Sequence, residues 1–140
     1  MPSEMPDDFN FSLSYGVGWK QKVDTFKNIV VKDLVEDGTI EAAIILDNEE
    51  MKSIYTKMAD MNIMGKLDFG KPQNQCGSEP EMNTEWTIKV NGELKSIQYK
   101  IFCSETKDTL SLASLEKYIR EIIVGNDEYK KLPPPRGGYD

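Results

Sequence analysis

Histidine is missing from all 140 residues. That absence removes Ser-His and Cys-His catalytic pairs, imidazole-bearing zinc sites and the facial triad of non-haem iron. Cysteine is scarce, at Cys76 and Cys103 only, and a thiol with no imidazole to activate it is a poor nucleophile. Basic clusters are also lacking: 17 Lys and Arg stand against 24 Asp and Glu, for a net charge of -7. Phosphate backbones and anionic membrane surfaces repel such a chain, so nucleic acid is not an expected partner. No apolar run reaches the roughly 18 residues of a membrane span. The polar start Met1–Asp8 has no apolar signal-peptide core. Gly16-Val17-Gly18-Trp19-Lys20 lacks both the spacing and the following helix of a phosphate loop, and reads as a turn. No repeat of 20 to 50 residues signals a solenoid.

What remains is an ordinary globular composition, 39% hydrophobic and 29% charged. At this length a chain buries roughly 70% of its unfolded surface around one core. Residues 9–132 are expected as a single domain, residues 1–8 as a flexible tether and residues 133–140 as a Pro/Gly-rich tail. Phe9, Phe11, Leu13 and Tyr15 alternate with Asn10, Ser12 and Ser14, the period of a half-buried strand. Trp19 to Phe26 is a weaker strand. Asn28–Val35 and Thr39–Leu46 flank Asp37-Gly38, a favoured two-residue hairpin loop. That turn sets Val35 opposite Ile40, Val31 opposite Ile44 and Ile29 opposite Leu46. The other face of the hairpin then carries Val30, Leu34, Ala43 and Ile45, which either the chain's own loops cover or a partner meets.

Asp47 and Glu50 form a capping box at a helix start. Met51, Ile54, Tyr55, Met58 and Met61 recur as its inward stripe to about Asn62. Residues 65–83 form a long loop, a length often associated with function. Trp86–Val90 and Glu93–Phe102 flank Asn91-Gly92, a tight turn that pairs Trp86 with Ile97 and Thr84 with Tyr99. The last helix runs from about Thr109 to Val124. Leu112, Leu115, Ile119, Ile122 and Ile123 face inward, Glu116 is paired to Arg120 outside, and Gly125 is the stop; Asp127–Leu132 adds one more turn. The expected fold is α+β: an antiparallel sheet of about five strands, in the order β-β-β-α-β-β-α, with two helices packed on one face.

No pattern singles out a catalytic pair among the acidic residues, and nothing points to a cofactor or a resident metal. Asp33 alone is expected on an apolar face, as a satisfied structural carboxylate or the sign of a slipped register, or else as an acid of raised pKa. Met58, Met61 and Met64 repeat every third residue, which suits Cu(I) thioether ligation or, more simply, core packing. If the Asn91-Gly92 register holds, Cys103 ends near the start of the preceding strand, within reach of Cys76. A disulfide there implies an oxidising compartment, whereas two reduced thiols fit a cytosolic one.

Several stretches together resemble a family of small uncharacterised proteins from Gram-positive bacteria, many of them classed as lipoproteins. They are Phe9-Asn10-Phe11 with Tyr15-Gly16, Lys32-Asp33-Leu34-Val35, Leu46 through Glu49-Glu50-Met51 to Ile54-Tyr55, and Glu128-Tyr129-Lys130-Lys131-Leu132-Pro133 with Gly137-Gly138-Tyr139. The resemblance implies a secretory leader and a lipid-bearing cysteine upstream of Met1, and a domain facing the cell exterior. It carries no activity. The expected function is therefore a non-enzymatic extracytoplasmic binding or interaction domain for an unknown protein or small ligand, touching the membrane only through an upstream lipid anchor. The alternatives are a carboxylate- or metal-dependent enzyme and an accessory subunit of an envelope assembly, and the alternative location is the cytoplasm.

Overall fold

The computed structural model describes residues 1–70, 84–99 and 106–137. Cys76, Cys103 and residues 71–83 of the long loop lie outside the described residues. The elements are β1 (Asn10–Tyr15), β2 (Gln21–Asp24), β3 (Ile29–Asp33), β4 (Thr39–Ala43), α1 (Asn48–Asp60), β5 (Thr84–Val90), β6 (Glu93–Tyr99), α2 (Lys107–Val124) and the single turn α3 (Asp127–Lys130). The strands form one antiparallel sheet in the order β4-β3-β2-β1-β5-β6. Six strands form where about five were expected, because all four segments ahead of α1 are strands. Even the weak stretch 19–26 yields Gln21–Asp24, which pairs with β1 and with β3.

The alternation in β1 decides which face is dry. Phe11, Leu13 and Tyr15 are buried while Asn10, Ser12 and Ser14 stay part-exposed. Register carries that face outward in both directions: Leu13 lies beside Val23 and Trp86, Val23 beside Val30, and Trp86 beside Ile97. The stripes of α1 (Ile54, Tyr55, Met58) and α2 (Leu112, Leu115, Ile119, Ile123) close over it and complete one core. Met58 is wholly buried, and Met61 and Met64 pack against the same core. The three methionines are thus spent on packing, in the way flexible thioethers fill irregular gaps.

Local chemistry explains the element ends. Asp47 accepts from Glu50 N at 2.7 Å and Glu50 Oε1 accepts from Asp47 N at 3.0 Å, the reciprocal cap read from the sequence. The second helix begins two residues earlier than expected, because Thr106 and Thr109 make the same kind of box. Asn91 and Gly92 take φ values of 54° and 81°, as a two-residue hairpin turn requires. Asp8 then accepts from the N–H groups of Asn91 and Gly92 at 2.8 and 2.7 Å, which holds its carboxyl below the usual carboxylate range. Met1 and Met5 pack against the core, so residues expected as a tether lie on the domain.

The β3–β4 hairpin departs from expectation. Ile29 lies opposite Ala43, Val30 opposite Ala42, Val31 opposite Glu41 and Asp33 opposite Thr39. Compared with the two-residue Asp37-Gly38 turn, the pairing is slipped by three residues. A slip by an odd number exchanges the faces of one strand relative to the other. Only Gly38 of the pair has positive φ, while Val35, β-branched, adopts φ 63°. Three contacts hold this loop: Leu34 N donates to Gly38 O at 2.7 Å, Asp33 Oδ1 accepts from Val35 N at 2.9 Å, and Arg136 pairs with the loop backbone. Arg136 N donates to Leu34 O, Arg136 O accepts from Glu36 N, both at 3.0 Å, and its guanidinium lies 3.7 Å from Asp37.

Candidate interaction surface

The slipped register splits the four residues expected to share one surface. Val30 and Leu34 are buried, Val30 as part of the sheet's core face, whereas Ala43 and Ile45 are exposed. In place of Val30 and Leu34, the outer face gains Ile29 and Val31, both part-exposed. Ile29, Val31, Ala43 and Ile45 therefore form an apolar strip on the sheet face that no described helix covers, and Ile45 is the most open large apolar side chain among the described residues at 72%. Across the strip, Val31 sits between Lys22 and Glu41.

Asp33 is not on the apolar core face. The same slip sets it beside Thr39 on the other face, where it is nevertheless buried, accepts from Val35 N and works as a structural carboxylate.

Sequence reading placed Glu116 outside, paired to Arg120; it is half-buried instead. Arg120 extends over Tyr15, with its guanidinium carbon 5.2 Å from the ring centroid. Burial pushes Glu116 above the usual carboxylate range, Arg120 pulling it back only in part. Burial likewise pushes Tyr15 up to about 12 and raises Tyr99 and Tyr129. Tyr99 accepts the Trp86 indole N–H at 3.0 Å. A carboxyl whose folded pKa is raised holds its proton longer in the folded state, so stability falls as pH rises through the window above its unfolded value. Glu116→Gln should therefore stabilise the fold at neutral pH and lose that advantage below about pH 4, where both states are protonated. Urea midpoints at pH 3.5 and 7 measure it, and an advantage equal at both values would contradict the assignment.

A groove of about 400 Å³ opens between α1 and α2, with Met61, Leu110 and Leu115 as floor and Lys57, Asp60, Lys107, Ser111 and Ser114 around it. Lys57 stands over the Tyr118 ring at 4.5 Å, and Ser53 hydrogen-bonds the Tyr118 hydroxyl where the helices meet. Of the polar groups that line the groove, Lys57, Asp60, Lys107 and Ser114 are exposed and Ser111 is part-exposed. Among the described residues, no group of three or more His, Cys, Asp or Glu comes together to hold a metal ion. Among the same residues, no helix is long and apolar enough to cross a membrane.

Fold and surface define an α+β domain with one helix-covered sheet face and one face that no described helix covers, which carries an apolar strip at the β3–β4 end. No family model, curated protein or solved structure matches the chain.

Proposed function

We propose that the chain is a non-enzymatic binding or interaction domain that works outside the cytoplasm and meets its partner with Ile29, Val31, Ala43 and Ile45. The observation that carries this reading is Ile45, 72% exposed beside exposed Ala43 at the edge of a sheet face that no described helix covers. Contiguous apolar side chains left in water favour association when a partner removes them from it. The strip surpasses the α1–α2 groove as a candidate because it adjoins a strand edge, whose backbone groups add directional hydrogen bonds to apolar contact. The extracytoplasmic placement is supported only by the resemblance to lipoprotein-classed proteins. An accessory subunit of an envelope assembly would use the same surface and would run as a stable hetero-complex on gel filtration.

One observation favours acid–base chemistry as a second reading: the half-buried Glu116 carboxyl, raised by burial, acts electrostatically on Tyr15 and Tyr99. The interaction reading predicts that a photo-crosslinking side chain at position 45 gives a discrete adduct in cells, and that the same group at exposed Lys117 on α2 does not. Equal labelling from both positions, or none from position 45, would remove the strip from consideration.

A further inference from the structure

We propose that the edge of β4, unpaired with any strand among the described residues, takes an extended, basic polypeptide segment as an added strand; this rests on the strip being the contact surface and names the partner that fits it. β4 ends the sheet. Its hydrogen bonds fix which residues face inward: Leu34 N donates to Gly38 O at 2.7 Å, and Ile44 N donates to Asn28 O at 3.0 Å. In an antiparallel ladder the paired residues alternate, so Ile40 and Ala42 aim their backbone groups at β3. Thr39, Glu41 and Ala43 therefore turn their N–H and C=O groups away from the sheet, and all three are exposed. Such a row is a template for another strand unless the protein blunts it.

Charge selects the occupant. From Asp33 to Glu50 the chain carries seven carboxylate side chains and no lysine or arginine. Glu41 lies at the middle of β4, so a second copy pairing antiparallel through this edge sets Glu41 against Glu41, and like charges directly opposite are destabilising. A strand with lysine or arginine at that place meets the opposite charge. The chain already displays this mode once: Arg136, in an extended tail, exchanges two backbone hydrogen bonds with Leu34 and Glu36 and sets its guanidinium near Asp37. An incoming segment that continues the pattern along Thr39, Glu41 and Ala43 lays its apolar side chains against Ala43 and Ile45.

The probe is a synthetic, end-blocked heptapeptide of alternating valine and lysine, titrated into the full chain at low salt and followed by amide NMR and hydrogen exchange. The expected result is saturable shifts centred on Thr39, Glu41 and Ala43, with exchange of those three amides slowed by tenfold or more. Glu41→Lys should weaken binding at least tenfold, and a peptide N-methylated on alternate residues should not protect the edge. Shifts spread over the acidic surface without edge protection, or equal binding by the N-methylated peptide, would overturn the proposal. Adducts at position 45 in cells without edge protection here would leave the strip as a contact surface and remove strand addition alone. Edge protection without those adducts would do the reverse.

Discussion

Trp86→Ala is expected to remove a large part of the domain's stability and to shift its urea midpoint far below the parent's. Trp86 is wholly buried in the sheet, between Leu13 of β1 and Ile97 of β6, with Phe11 at a ring-centroid distance of 6.5 Å. Removing an indole from such a place loses transfer energy and leaves a cavity, at a cost of about 3–5 kcal/mol. Domains of this size have about 5–15 kcal/mol in total. The substitution also removes the hydrogen bond that the indole N–H donates to the Tyr99 hydroxyl at 3.0 Å. Trp86→Phe separates the two effects: it keeps most apolar area but still loses the indole hydrogen bond to Tyr99, so about 1–2 kcal/mol is expected. Urea unfolding monitored by circular dichroism gives both values, and a loss below about 1.5 kcal/mol for Trp86→Ala would mean that the β1–β5–β6 core is misassigned.

The hairpin that holds Trp86 was readable because its determinants are local. Asn91 and Gly92 are among the few residues that accept positive φ cheaply, and they take it consecutively. The flanking alternation agrees with the turn, so Trp86 pairs with Ile97 and Thr84 with Tyr99 as expected. The α1 start was readable for the same reason, since Asp47 and Glu50 lie three residues apart and satisfy each other's backbone. The α2 start was missed by two residues because Thr109 serves as the second member of the box, a substitute for the usual Glu or Gln.

The candidate surface was only half readable, and β3–β4 shows why. Asp37-Gly38 has the local signature of a tight turn, yet tertiary contacts prevail over it. Arg136 hydrogen-bonds on both sides of Val35 and Asp33 caps the loop, so a β-branched residue is held at φ 63° against its own preference. Nothing near Asp37 in sequence announces a partner so far along the chain. With strong apolar content at both odd and even positions of β3, hydrophobic pattern alone does not choose the register either. Ala43 and Ile45 are exposed, whereas Val30 and Leu34 are buried and Ile29 and Val31 stand on the outer face in their place. Glu116 lies at helical spacing from Arg120, whose charge still acts on it, yet it is half-buried while Arg120 extends over the Tyr15 ring.

The parity of β3 can be tested by a pair of adjacent substitutions whose expected costs differ widely. Val30 is 1% exposed, lying between Val23 and Ala42 on the core face, and Val31 is part-exposed between Lys22 and Glu41 on the outer face. Val30→Lys places an ammonium in the core with no carboxylate opposite, and a loss of more than about 3 kcal/mol is expected. Val31→Lys places the same group between one like and one opposite charge in water, where the two pair terms nearly cancel and the change stays within about 0.5 kcal/mol. A two-residue Asp37-Gly38 turn, with Val31 inward opposite Ile44, predicts the reverse ranking. Urea midpoints for the two variants therefore decide the register without any structure determination. They also decide whether Ile29 and Val31 stand beside Ala43 and Ile45, because in the reversed arrangement both turn into the core and the strip dissolves.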